Sequence, residues 1–83
     1  MRIFVLHQIT RHMNSAFTFE DKVFLAIEAL LYFSSEPDCH LVSVVDEANK
    51  YCYKTVSGNI GTVDKDFIND RVSAGLINKF IRP

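Results

Sequence analysis

The sequence predicts an α+β domain of three short helices, opened by a short N-terminal strand and closed by a C-terminal strand. Three observations point there. The chain begins with a β-branched and aromatic run, Ile3-Phe4-Val5-Leu6 with Ile9. Hydroxyl residues at Thr18, Ser43 and Thr62 each precede carboxylates at helix-start spacing. A glycine-leucine pair, Gly75-Leu76, then leads into a last short apolar stretch. With 83 residues there is room for one domain, 1–83, and none for a second.

Residues 2 to 9 suit a strand better than a helix, because such side chains pack well on a pleated surface and no cap precedes them. Thr18 then offers an N-cap hydroxyl, and Glu20 and Asp21 meet the positive end of the helix dipole. Val23, Ile27, Leu30, Leu31 and Ser34 recur on one helical face, with Phe24, Ala26 and Phe33 widening it, so this segment is the expected central core helix. Ser35-Glu36-Pro37-Asp38 stops it, since proline cannot continue a helix and biases its predecessor toward extended geometry. A second helix is expected from Ser43-Val44-Val45-Asp46, a hydroxyl with an acid three positions on. Ala48, Tyr51 and Cys52 extend its apolar stripe, and Lys50 and Lys54 sit at its negative end.

From Lys54 to Gly61 the residues Ser57-Gly58-Asn59 mark a turn or loop. A third helix follows, with Thr62 as cap, Asp64 in the first turn and Val63, Phe67, Ile68 and Val72 facing inward. Gly75 closes it in left-handed geometry. Leu76 and Ile77 turn back to the core, and 77–82 is strand-like. No repeat, low-complexity tract or linker interrupts the chain.

Nine Lys+Arg stand against ten Asp+Glu, a net charge of −1, so no whole-molecule field draws the protein onto polyanions. A domain of this size buries only about 60–65% of the surface its unfolded chain exposes, which makes a homodimer the expectation and a large catalytic cleft a poor one. Cys39 and Cys52 are too few for a disulfide scaffold and lack metal-ligand spacing, which points to a reducing, cytoplasmic setting. The opening run is too short to span a bilayer and has no cleavage site of the secretory kind, so neither secretion nor membrane insertion is expected. His7, His12 and His40 share no ligand spacing, and neither a metal nor a cofactor is expected. Cys39 lies beside His40, but adjacent residues rarely face one another. Ser57-Gly58-Asn59-Ile60-Gly61 lacks the spacing of a phosphate loop. The acid pairs Glu20-Asp21 and Asp46-Glu47 fall where expected helix N-termini want negative charge. No catalytic constellation remains, and the protein is not read as an enzyme.

Three helices, the last ending in Ala74-Gly75-Leu76-Ile77 and running into a strand, make a three-helix winged helix-turn-helix with a C-terminal wing strand. The segments Lys22-Val23-Phe24-Leu25-Ala26-Ile27-Glu28-Ala29-Leu30-Leu31-Tyr32-Phe33-Ser34, Leu41-Val42-Ser43-Val44, Asp66-Phe67-Ile68 and Ser73-Ala74-Gly75-Leu76-Ile77 together resemble the IscR/CymR family of winged-helix transcription regulators over residues 20 to 79. In that family a lysine four residues before an alanine opens the first helix, and the recognition helix ends in Ala-Gly-Leu-Val. This chain departs in three ways: Leu25 stands where the family has an aromatic, the segment 52–61 is longer than the family's tight turn, and the cysteine trio that holds an iron-sulfur cluster is not matched.

The resemblance implies a transcription regulator that binds double-stranded DNA as a homodimer, with the third helix (about 62–74) in the major groove. In such a helix polar side chains reach base edges. Thr62, Lys65, Asn69 and Ser73 are the candidates, with Asp66 beside them. Asn69 could pair with adenine, and Lys65 could reach guanine or a phosphate. Lys54, Lys79 and Arg82 are the expected phosphate contacts. The same helix carries Asp64, Asp66 and Asp70 against Lys65 and Arg71, a balance that opposes phosphate binding. The alternative is a protein-binding module, or a small phage or mobile-element inhibitor of a host protein, with Tyr32, Tyr51 and Tyr53 available for contact.

Overall fold

The computed structural model describes residues 2–4 and 17–75. Within them the chain runs β1 (Arg2–Phe4), α1 (Phe19–Phe33), β2 (Leu41–Asp46), β3 (Lys50–Thr55), β4 (Ile60–Asp64) and α2 (Lys65–Ser73). The strands form one antiparallel sheet in the order β1-β2-β3-β4. The α+β class is as expected, but the three-helix winged helix-turn-helix is not: two helices cover one face of a four-stranded sheet. The wing strand expected at 77–82, with Leu76 and Ile77, lies outside the described residues, as do residues 5–9 of the opening run.

α1 starts where the sequence places it. The Asp21 N–H donates to Thr18 Oγ1 at 3.0 Å and the Thr18 N–H donates to the Asp21 carboxylate at 3.2 Å, a reciprocal capping box. Thr18→Ala is expected to cost about 1 kcal/mol, measured as a drop in the denaturant midpoint. Val23, Phe24, Ala26, Ile27 and Leu31 of α1 are buried. Phe33, expected to widen that face, is exposed instead, at the last position of the helix.

The expected second helix is the hairpin β2–β3. Leu41-Val42-Ser43-Val44-Val45 and Tyr51-Cys52-Tyr53 are rich in β-branched and aromatic residues that pack on a pleat, and this outweighs the local hydroxyl–acid signal of Ser43 and Asp46. The Glu47 N–H donates to the Lys50 carbonyl at 3.0 Å and closes the turn. A register irregularity between Leu41 and Ser43 resets the alternation, so Leu41 and Val44 are both buried although three positions apart. The expected loop around Ser57-Gly58-Asn59 is the β3–β4 turn, with Gly58 at φ 102°. Its buried anchor is Thr55, whose hydroxyl accepts from the Asn59 N–H at 2.9 Å.

The third helix begins later than expected. Asp64, not Thr62, is its cap, accepting from the Asp66 N–H at 3.1 Å. Thr62 and Val63 belong to β4, held opposite Cys52 and Tyr51. Ile68 and Val72 are buried as expected, whereas Phe67 is exposed. Gly75 follows at φ 77°, the left-handed geometry expected of it.

Phe4, Leu41, Val44 and Tyr51 from the sheet meet the buried residues of α1 and α2 in one core. Pairing register puts Ile3, Val45, Cys52 and Thr62 in one row across the opposite face.

Candidate functional site

The residues predicted to read DNA do not share a surface. Thr62 and Lys54 are exposed on strands β4 and β3, and their pairing places both on the sheet face turned away from the helices. Ser73 and Asp66 are exposed on α2. Lys65 and Asn69, by contrast, turn onto Tyr51. The Lys65 ammonium donates to the Asp46 carboxylate, approaches the Glu47 carbonyl at 3.4 Å and lies 5.7 Å from the Tyr51 ring centroid. The Tyr51 hydroxyl donates to Asn69 Oδ1 at 2.6 Å. Lys79 and Arg82 lie outside the described residues, as do His7 and His12.

Tyr51 is therefore the centre of a polar cluster and not an exposed contact residue, with only 2% of its surface accessible. Its ring meets Phe4 edge-on at 5.9 Å, and Phe4 in turn lies under the Arg2 guanidinium. Arg2 pairs with Glu20 at 2.5 Å in the open, a contact that contributes little by itself. Burial pushes the Tyr51 hydroxyl above its ordinary pKa; the Asn69 hydrogen bond, Lys65 and Arg2 pull it down, and Asp46 adds to the rise. It stays a proton donor at neutral pH. Tyr51→Phe is expected to cost about 1 kcal/mol, the usual net worth of one such bond. A raised folded-state pKa contributes stability that is intact below the ordinary value of 10.0 and lost as the pH climbs through the folded value. Tyr51→Phe should accordingly remove that part of the alkaline loss, visible in melts above pH 10.

Arg2, Asp46, Glu47, Ala48 and Lys65 line an open pocket of about 360 Å³ beside this cluster. Two cations face two carboxylates there, and the Lys65–Asp46 pair neutralises one of each. Of Asp46-Glu47, expected at a helix N-terminus, Asp46 instead ends β2 and makes this pair, and Glu47 follows in the β2–β3 turn.

A second concavity, about 270 Å³, runs along the outer flank of α1 and is lined by Leu25, Glu28, Ala29, Tyr32, Phe33, Cys39 and His40. The helical residues follow the i, i+3, i+4, i+7, i+8 spacing of one face, distinct from the buried one. At its mouth Tyr32 and Phe33 pack edge-to-face, with ring centroids 5.1 Å apart, and remain 66% and 63% exposed. Glu28 Oε2 accepts the Leu41 N–H at 2.9 Å, which ties α1 to the start of β2. Desolvation raises the Glu28 carboxyl above its ordinary 4.5, against the downward pull of the Leu41 N–H and of His40.

That direction makes a prediction. Folding favours protonated Glu28, so its ionised form costs stability at neutral pH, and the cost is relieved as the pH falls through the raised pKa toward 4.5. Glu28→Gln keeps an acceptor for Leu41 and removes the charge. It is expected to be more stable than the parent at pH 7, with the difference shrinking in denaturant titrations at progressively lower pH.

Sequence reasoning did not single out this groove. Its 25/28/29/32/33 spacing is present in the sequence, but the apolar character of Phe33 points equally to the core face. Cys39 and Cys52 are free, half-buried thiols, and among the described residues no hydrogen bond joins Cys39 to His40 and no cluster of His, Cys, Asp or Glu could hold a metal. No helix among those residues is long and apolar enough to cross a membrane. No protein-family model, curated protein or solved structure matches the chain.

Proposed function

We propose that the chain is a protein-binding module that docks a partner protein in the groove along α1, in preference to a DNA-reading regulator. The observation behind this is the Tyr32–Phe33 pair, two large aromatic side chains held in fixed edge-to-face geometry beside an apolar concavity and left mostly in water. Aromatic residues in such settings dominate the energetics of protein interfaces, because they bring large contact area at low entropic cost. A groove of about 270 Å³ lies just under the usual range for small-molecule sites, which fits side-chain anchors better than a cofactor.

The DNA alternative draws less support from the same geometry. Lys65 and Asn69, the strongest base-contact candidates, are engaged with Asp46 and Tyr51. Arg71 stacks over Phe67 at 4.1 Å, and α2 carries Asp64 at its cap, Asp66 in its first turn and Asp70 further along, which repel phosphates.

The test is selection of random dodecapeptides displayed against the folded chain. Peptides that bind the parent are expected to lose at least tenfold in affinity on the Tyr32→Ala/Phe33→Ala double variant, and to be unaffected by Thr62→Ala/Ser73→Ala. Equal binding to the aromatic double variant would refute the groove as the docking site. Duplex DNA binding that falls steeply between two salt concentrations would restore the regulator in its place.

A further inference from the structure

β4 is an edge strand of the sheet among the described residues, and the hydrogen bonds at its two ends fix which of its backbone groups are used. The Thr55 N–H donates to the Asn59 carbonyl at 2.8 Å, and the Lys65 N–H donates to the Asn49 carbonyl at 3.1 Å. Both pairs continue the β3–β4 register, and in an antiparallel ladder bonded pairs alternate with non-bonded ones. Gly61 and Val63 therefore bond to β3, while Ile60, Thr62 and Asp64 turn their N–H and carbonyl groups outward along the edge. The Asp64 carbonyl is taken by the first turn of α2, since Asp64 caps that helix. Its N–H, and both groups of Ile60 and Thr62, are left for a neighbouring strand.

Sheet edges are commonly blunted by lysine, proline or a bulge. β4 reads Ile60-Gly61-Thr62-Val63-Asp64 and has none of the three, and Ile60 is 75% exposed. Its outward residues are spaced symmetrically about Thr62. We propose that β4 pairs antiparallel with β4 of a second copy of this chain, about a two-fold axis at Thr62, so that the two sheets become one. Each Thr62 N–H then donates to the Thr62 carbonyl of the other copy, and each Asp64 N–H to the Ile60 carbonyl of the other. The side chains suit that register. On the face turned from the helices the row runs Lys54, Ile60, then Asp64 and Lys50 of the second copy, so no like charges adjoin and each carboxylate has a lysine beside it. On the helix face, Val63 of the second copy comes opposite Gly61, next to the Tyr53 ring that lies over that glycine. A two-fold contact also closes on itself and consumes the edge, where a head-to-tail contact can propagate into fibres. The pairing uses none of the residues that line the α1 groove, and so goes beyond the docking site and does not depend on it.

The experiment is sedimentation equilibrium of the full chain and of variants at Thr62, whose exposed side chain meets its own copy at the axis. The parent is expected to exchange between monomer and dimer as its concentration rises. Thr62→Lys and Thr62→Glu each set like charges directly opposite one another and should weaken the dimer at least tenfold. An equimolar mixture of the two variants should restore a dimer containing one chain of each, with circular-dichroism melts confirming that both are folded. A parent that stays monomeric at every concentration would overturn the pairing, as would a dimer that neither variant weakens. Weakening by both variants without recovery on mixing would overturn the axis at Thr62. Amide hydrogen exchange gives a reading that needs no variant: Thr62 and Asp64 are expected to exchange more slowly as the parent is concentrated. Exchange at both that ignores concentration would overturn the β4 contact even where a dimer forms.

Discussion

Tyr51→Ala is expected to lower the free energy of unfolding by about 3–5 kcal/mol, the range for removing a buried aromatic ring. A chain of this length has a total of about 4–12 kcal/mol to lose, so the variant should be largely unfolded in modest denaturant. The reason is position as much as area. The Tyr51 ring meets Phe4 of β1 edge-on, supports the Lys65 ammonium at the start of α2, and sends its hydroxyl to Asn69 one turn further along that helix. Deleting it leaves a cavity between β1 and α2, beside the core residues Phe4 and Ile68. It also strands Asn69 without its donor. Urea titration should show a lower midpoint with little change in slope. Tyr51→Phe separates the two contributions, because it keeps the ring and removes only the hydroxyl. A loss below about 1 kcal/mol for Tyr51→Ala would mean that the ring is not the joint described here, since that is no more than an average point substitution costs.

The same residue explains why part of the fold was legible in the sequence and part was not. α1 was legible because its signals are local: a hydroxyl cap at Thr18, acids at Glu20 and Asp21, and a 3.6-residue apolar stripe through Val23, Ile27 and Leu31 all agree. In 41–55 the local signals disagree. Ser43 and Asp46 imitate a helix start, while Val42, Val44, Val45, Tyr51 and Tyr53 favour strands. What decides between them is pairing with β1 and β4, which is non-local and leaves no mark in a short window. Tyr51 could thus be placed on the stripe of a helix that does not exist.

At α2 both Thr62 and Asp64 were acceptable caps. Asp64 prevails because Thr62 and Val63 are held in the sheet opposite Cys52 and Tyr51. Among the candidate site residues, the identity of Lys65 and Asn69 as polar groups was plain, but the partners they face, Asp46 and Tyr51, lie 19 and 18 residues away in the chain. Phe33 shows the converse: its apolar character was plain, and its exposure depended on where the helix stopped.

Gly61→Ala should destabilise the parent by about 1–3 kcal/mol, yet stabilise a Tyr53→Ala background by about 0.5–1 kcal/mol. Gly61 stands directly opposite Tyr53 across β3 and β4, and the Tyr53 ring lies over it. A methyl group at position 61 would overlap the Tyr53 hydroxyl and Cζ and come within 3.0 Å of Cε1. That overlap is too deep for a shift of a few tenths of an ångström. The ring would have to swing away, giving up its packing against the core. The glycine is therefore needed for the space above its Cα; the turn is formed by Gly58, the residue with positive φ. Once the ring is removed, the obstacle disappears and only the ordinary penalty of glycine in a strand remains, which alanine relieves. The double-mutant cycle should give a coupling of about 1.5–4 kcal/mol, the difference between those two effects, which reaches or passes the top of the usual range for residues in contact. Additive effects of the two substitutions would show that the ring does not rest on Gly61 in solution, and with it that the register of β4 differs from the one described.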